Sequence, residues 1–481
     1  MVAALAEHIR RADVASRIRL HTVTSVPDRQ KRPNLICHLP GTSQEAVVLL
    51  GHVDTVSTAD YAALRSHATD PLALTGRIGR GAMGPAMAEL ANSGQWLFGR
   101  GVLDMKSGLA VAAGVLLQRA RERATGPHLL FCAVADEEAT SCGARTVGPW
   151  VGRFLKEQGL HLAGVIKTDF TANTEPGQPR RIYTGSVGKL LLGVSVFGIP
   201  SHAGEPEAGL DPNRLMAEIT SALTYRTDLA DRTEAGETAP VVVTLSQSDY
   251  KRRYDVQTGR SAHALYNLLQ VQTPPSERLQ TMVAEIRRAV EAAVAEIGPL
   301  SRGGPVDVVT WGELWQAASP SVKRSCERQG ARLAAQPPHR LNRLLVEGLV
   351  ERGRLAPLVV VYLAAAPIPR VTSSEGLAGR LSGLQAEGRP ILLAGHFPFI
   401  SDLSFMVCSP DQADSAVCSD LPQLFGRTPR LPELPSGEVI LAGPCGDGAH
   451  RADERLDRAY TFSVLPGLVD ALVDRLAAVG S

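Results

Sequence analysis

Short apolar runs that stop abruptly at charged residues constrain this chain most. The clearest is LLFCAVADEEATSCG, where Leu129–Ala135 gives way at once to Asp136, Glu137 and Glu138. Such a run reads as a strand buried in a sheet. Three adjacent carboxylates at its end repel one another in a half-buried place, so the fold must supply compensating positive charge there.

The pattern recurs. EAVVLLG runs into His52 and Asp54, LAGVIKT into Asp169, and VILAGPCGDGA into His450, while Asp104 stands at the mouth of the helix in GRGVLDMKSGLAVAAGVLLQRARERA. Strands alternating with helices predict an α/β sheet covered by helices on both faces. In open α/β sheets ligands bind beyond the carboxyl ends of the strands. These histidines and carboxylates therefore collect at one edge.

The texture changes near Lys189. KLLLGVSVFG, a helix over GLDPNRLMAEITSALTYRTDL, APVVVTLSQSDYKRR, AHALYNLLQVQT, a helix over PPSERLQTMVAEIRRAVEAAVAEIG and PVDVVTWGEL follow in order. That is β-α-β-β-α-β, the order of a ferredoxin-like sandwich. The expected organisation is a main domain in two parts, 1–188 and 317–481, with an insert at 189–316. PLVVVYLAAAP, RPILLAGHF and GEVILAGPCG are expected to return to the main sheet, and HATDPLALTGRIGRGAMGPAMAELANSG to be a long connection bordering the pocket.

Composition removes several function classes. Fifty Lys+Arg against 49 Asp+Glu leave a formal net charge of +1, and aromatics make up 5%. Neither a field for nucleic acid or an anionic membrane nor a base-stacking surface is expected. The N-terminal segment reads as an amphipathic helix without the apolar core of a signal peptide, and no run is long enough to span a bilayer. Seven cysteines without a CxxC pair argue against a disulfide framework or a zinc knuckle, and Cys37, Cys132 and Cys326 read as small buried hydrophobes. A cytoplasmic protein is expected.

Two histidines and several carboxylates without a thiolate cluster suit one or two borderline-hard divalent ions, zinc before cobalt or manganese. Two ions need about five side-chain ligands with one carboxylate shared, and a pair ~3.5–4 Å apart would clamp the attacking water and the substrate oxygen together. Each residue has an ordinary alternative: Asp104 as a helix cap, the acidic triplet as a solvated loop, each histidine as a cap. Taken together, those alternatives leave a charge unexplained at every strand end.

GHVDTV, GRGVLDMKSGLA, ADEEATSCGA, KTDF, SHAGEPEAGLDPN and the late His450 stand in the order of one family. The chain resembles the co-catalytic zinc metallopeptidases that include aminoacylase, carboxypeptidase G and succinyl-diaminopimelate desuccinylase. WLFGRGVLDMKSGLA, YTGSVGKLL, FPFISDLSF and GPCGDGAHRADERL are similar to the RocB branch, tied to arginine utilisation. The resemblance implies a zinc-exopeptidase-like mixed sheet flanked by helices, with the inserted domain as lid and dimerisation module. It implies two Zn2+, with His52 and Asp169 on one, Glu138 and His450 on the other, and Asp104 bridging. Asp54 would hydrogen-bond the His52 imidazole, and Glu137 would be the general base. His202 would stabilise the oxyanion from the partner subunit of a homodimer. Asn213, Ser401 and Asp402 would face the substrate, with Arg252, Arg253 or Arg260 gripping its carboxylate. Cys445, close before His450, reads as loop packing in preference to an adventitious ligand. The implied reaction is amide-bond hydrolysis of a small amino-acid derivative: a dipeptide, an N-acyl amino acid or an arginine-derived amide. Two rivals remain: a non-catalytic binding protein keeping the fold, marked by loss of a ligand or of the base, and a one-metal hydrolase. No ligand or base position is missing.

Overall fold

Leu129–Val134 is an inner strand of an eight-stranded sheet in the computed structural model, which describes residues 1–481 apart from 27, 123–124, 172–178, 252, 302–303, 354, 410, 412–413, 428–431 and 479–481. Edge to edge, the strands are Arg19–Thr24, Pro33–Leu39, His128–Val134, Glu45–His52, His161–Lys167, Glu438–Leu441, Arg181–Tyr183 and Leu392–Ala394. Glu45–His52 runs parallel to both His128–Val134 and His161–Lys167, and Glu438–Leu441 runs parallel to His161–Lys167. Each of the first three strands is antiparallel to the next, so the sheet is mixed, as the family resemblance implies. Register levels the parallel ends: His52 pairs with Val134, and Leu50 with Lys167.

Alternating side chains explain why both faces are covered. Leu129, Phe131 and Ala133 join Leu35, Cys37, Val47 and Leu49 in one core with the helices Ser107–Glu122 and Leu465–Ala477. His38, on the opposite face from Cys37, packs against Phe154 of the helix Cys142–Gln158, ring centroids 5.0 Å apart. The connection at 67–94 departs from expectation: it forms two helices, Pro71–Gly79 and Pro85–Asn92, each with proline in its first turn, and none of its residues lines the cavity described below.

The chain divides into two units, one of Met1–Ser186, Val371–Cys408 and Pro432–Ser481, the other of Val187–Arg370 and Ser409–Leu431. The second unit therefore extends well past the expected end at 316. Its sheet runs Val243–Ser248, Ser261–Gln270, Gly188–Phe197, Leu358–Leu363, Asp307–Thr310. Leaving out Leu358–Leu363, this is the ferredoxin-like order with helices Pro212–Leu223 and Pro275–Ile297 on one face. Leu358–Leu363 enters between the first and last of those strands, antiparallel to one and parallel to the other. The expectation that PLVVVYLAAAP joins the main sheet is thus corrected. A strand apolar at every position suits the middle of either sheet, and periodicity does not say which. Helices from Trp311 to Gly353 cover the other face through Trp311, Trp315, Leu345 and Leu349.

Candidate metal centre

The carboxyl ends of the parallel strands deliver most of the polar residues singled out in the sequence to one place. His52, the last residue of its strand, is fully buried. After Val134 the chain takes a left-handed turn at Asp136 (φ 71°), breaking the strand alternation; Glu137 and Glu138 both line the cavity that follows. Asp136 itself is buried against Arg32 and Thr140, so the acidic triplet is divided between structure and site. Asp169 follows His161–Lys167, and a Cβ on Gly443 would lie 1.8 Å from the Asp169 carbonyl, so only glycine lets the two loops meet. His450 arrives from the loop after Glu438–Leu441, also left-handed (φ 65°).

Asp104 stands at the centre. Its Oδ1 is 3.0 Å from His52 Nε2 and its Oδ2 is 3.0 Å from His450 Nε2. His450 Nε2 is also 3.1 Å from Glu138 Oε2, and His52 Nε2 is 3.8 Å from Asp169 Oδ2. Donor atoms of His52, Asp104 and Glu138 lie within 4.8 Å of one another, as do those of His52, Glu137 and Asp169. His52 Nε2 and Asp104 Oδ1 are both buried and close, yet not aligned as a hydrogen bond. Two lone-pair atoms turned to the same space in this way fit a shared cation, and the nitrogen–oxygen donor set fits zinc.

Charge is concentrated here. Burial pushes the His52 imidazole toward neutrality, but Glu137, Asp104 and Asp169 outweigh it and the net shift is upward. His450 rises to about 10, held by Asp104 and then Glu138. Burial raises Asp169 to about 6. Lys167, wholly buried, reaches Glu137 Oε1 and Asp169 Oδ2, each at 2.8 Å. Burial alone would raise the Glu137 carboxyl; Lys167 and His52 bring it below its ordinary value instead.

Several placements differ from expectation. The Asp54 carboxylate lies 3.7 Å from His52 Nδ1, beyond hydrogen-bond reach, and the nearer contact is its backbone carbonyl at 3.3 Å. Its oxygens instead accept the backbone N–H groups of Glu137 and Glu138 at 3.3 and 3.2 Å. Ser401 and Asp402 are fully buried and do not line the cavity; Ser401 caps the turn at Leu403. The expectation that they face the substrate is corrected, because the chain turns inward there and leaves Phe399 and Ile400 on the cavity wall. Cys445 is buried beside Thr171, 3.2 Å away.

His202 and Asn213 belong to the second unit, both exposed. Gly204 donates its N–H to His202 Nδ1 at 3.0 Å, and Asn213 Nδ2 donates to Asp249 at 3.4 Å. Arg253 and Arg260 are exposed in the same unit, and Arg252 lies outside the described residues.

Two residues of the site escape the sequence reading. Lys167 left a signal, a lysine inside an apolar strand two residues before Asp169. Glu454 also left one, four residues after His450. Its buried carboxylate accepts the N–H groups of Gly101, Leu103 and Asp104 and pairs with Arg100.

Residues 48–337 match Peptidase family M20/M25/M40. The chain belongs to that family. It is 30% identical to protein YqjN of Bacillus subtilis over 90% of this chain and 84% of the relative. It is 28% identical to protein RocB of Bacillus subtilis over 92% of this chain and 84% of RocB. Aminopeptidase PepT from Bacillus cereus shares the fold at TM-score 0.53 and 13% identity, covering 99% of this chain and 92% of PepT. Bacillus subtilis YXEP, described as a dinuclear metal-binding peptidase of family M20, aligns at TM-score 0.50 and 14% identity over 99% and 91% of the two chains. Family membership makes the chain a metal-dependent hydrolase of peptide or amide bonds. Among the described residues no helix is long and apolar enough to cross a membrane.

Proposed function

We propose that this M20 member is a dinuclear hydrolase cleaving a peptide or N-acyl bond in a small amino-acid derivative. One observation carries the reading: Asp104 turns one oxygen to His52 and the other to His450, both at 3.0 Å. His52 and Asp169 would hold one ion and Glu138 and His450 the other, with Asp104 shared. Zinc suits the set, and cobalt and manganese accept the same ligands. The fold likeness to YXEP supports a count of two. When bound, such ions supply Lewis-acid polarisation of a carbonyl and an acidified water.

Glu137 manages the proton. Lys167 fixes its Oε1 and helps keep it ionised, so it accepts a proton from the attacking water and passes it to the leaving nitrogen. Asp54 holds the backbone N–H groups of Glu137 and Glu138, so base and ligand keep one spacing. His202 is assigned the oxyanion, donated within a homodimer by the second subunit, with the second unit serving as lid. The cytoplasm is proposed as its compartment, as expected from the sequence.

The test is metal content per chain together with turnover of N-acyl amino acids, dipeptides and, given the similarity to RocB, arginine amides. Two ions and turnover support the reading. No metal after reconstitution overturns it in favour of a binding protein. Mixing inactive His202→Ala with inactive Glu137→Ala chains restores activity if His202 acts across the dimer; a confirmed heterodimer without activity refutes that assignment.

A further inference from the structure

The cavity beside the candidate ligands measures about 460 Å³ and has two unlike walls. One carries Asp104, Glu137, Glu138, Asp169 and His450; the other carries Phe170, Phe397, Phe399 and Ile400. The three phenylalanines pack on one another, with ring centroids 5.6 Å apart for Phe170 and Phe397, 5.7 Å for Phe170 and Phe399, and 5.2 Å for Phe397 and Phe399. Phe397 is buried and braced by Tyr183 at 5.3 Å, so it forms a firm base. Phe399 stands on that base 51% exposed, an aromatic ring left half in water within a polar site.

The wall is tied to the reacting end. Phe170 follows Asp169 directly and donates its N–H to Asp169 Oδ1 at 2.8 Å. A group lying on these rings therefore sits next to whatever the ligands hold. Among the described residues, the rim carboxylate of Asp447 is not left open to a cationic substituent: it is paired with Arg455 and lies 3.5 Å from Arg451, which also pairs with Asp453 at 3.1 Å.

We propose that the phenylalanine wall receives a hydrophobic substituent adjacent to the scissile bond, making the substrate an amide with an apolar acyl group or side chain. The proposal rests on the hydrolase reading above and narrows its substrate class. Covering Phe399 removes apolar surface from both partners, so affinity grows with substituent size until the cavity is full.

The test uses the metal-loaded protein and two linked readouts. First, kcat/KM is measured for N-acyl glycines from acetyl to octanoyl, and for N-acetyl-phenylalanine against N-acetyl-arginine. A rise of roughly two- to fourfold per methylene and preference for phenylalanine are expected. Phe399→Ala should lower kcat/KM for the long acyl chains by about tenfold and for acetyl by less than about twofold, with metal content unchanged. Phe399 is half exposed, so the variant folds; Phe399→Gln serves as a second check. Second, binding of linear carboxylates from acetate to octanoate is titrated by calorimetry in wild type and Phe399→Ala, a readout that needs no turnover. Affinity rising with length in wild type and flattening in the variant upholds the wall, even if no amide is cleaved, in which case only the hydrolase reading falls. Turnover with neither dependence on acyl length nor preference for phenylalanine over arginine overturns the wall and leaves the hydrolase standing. A flat carboxylate series overturns it regardless of turnover.

Discussion

Glu454 ties together the two loops that carry Asp104 and His450. Its Oε1 accepts the N–H groups of Gly101, Leu103 and Asp104 at 2.9, 3.1 and 3.2 Å, and its Oε2 pairs with Arg100 Nη1 at 2.8 Å. The carboxylate side chain is 1% exposed. Glu454→Gln keeps the shape, removes the charge and turns one acceptor into a donor. Whichever way the amide rotates, an N–H then faces either the three backbone donors or Arg100. A hydrogen bond to a charged partner is worth about 1.5–3 kcal/mol net, against about 0.5–1.5 for a neutral one. Summed over the weakened contacts and the one mismatch, Glu454→Gln costs about 2–4 kcal/mol. Glu454→Ala takes from the buried Arg100 guanidinium its one buried carboxylate, leaving it the more exposed Asp60 alone, and costs about 3–5 kcal/mol. Loss of an outer partner that orients a ligand lowers metal affinity by roughly 10–100-fold. Both quantities are read at about pH 8.5, because burial raises Glu454 to about 7 and the carboxylate must be ionised. Metal affinity comes from chelator competition, and stability from urea unfolding. Asp60→Asn is the control: Asp60 pairs with the same Arg100 at 2.8 Å but is 37% exposed, so it should cost less than about 1 kcal/mol and leave metal affinity alone. A Glu454→Gln chain that binds two ions as tightly as wild type and unfolds at the same urea concentration would refute the positioning role.

Three further outcomes are expected. Glu137→Gln should retain its metal ions and lose about 10²–10⁴-fold in kcat, measured by steady-state turnover with metal content as control; near-normal kcat would remove Glu137 as the base. Gly443→Ala places a Cβ 1.8 Å from the Asp169 carbonyl, so the loops must part; about 1–3 kcal/mol of stability and much of the metal affinity should go together in parallel denaturation and metal titration. His38 is buried between Phe154 and His128, and burial lowers it from 6.5 to about 4. The unfolded chain therefore binds a proton between pH 6.5 and about 4 that the folded chain refuses, and stability falls by about 3 kcal/mol as pH drops through that window. His38→Gln should flatten that part of the urea-stability profile relative to wild type, and an unchanged slope would discard the assignment.

The sequence by itself determined the sheet, the edge where the site lies and the cast of the candidate metal centre. Apolar runs such as Leu129–Val134 have room only inside a covered sheet, and parallel strands discharge their polar followers at one end, which is why His52, Glu138 and Asp169 share a place with Asp104 and His450. Those rules act locally, over a strand and the few residues after it. Destinations that depend on long-range packing stayed hidden. Leu358–Leu363 is apolar at every position and fits either sheet, and only the neighbouring strands Gly188–Phe197 and Asp307–Thr310 decide between them. Which side chain of a loop turns inward is likewise a matter of tertiary contact. Asp402 is buried while Phe399, three residues earlier, faces the cavity, and Asp54 holds the Glu137–Glu138 backbone where a bond to His52 was expected. Lys167 and Glu454 gain their roles from partners 30 and about 350 residues away, Glu137 for one and the 100–104 turn for the other. A linear sequence records which charges exist; the folded chain decides which of them meet, because an ion pair or a capped backbone needs contacts of about 3 Å that no residue spacing encodes.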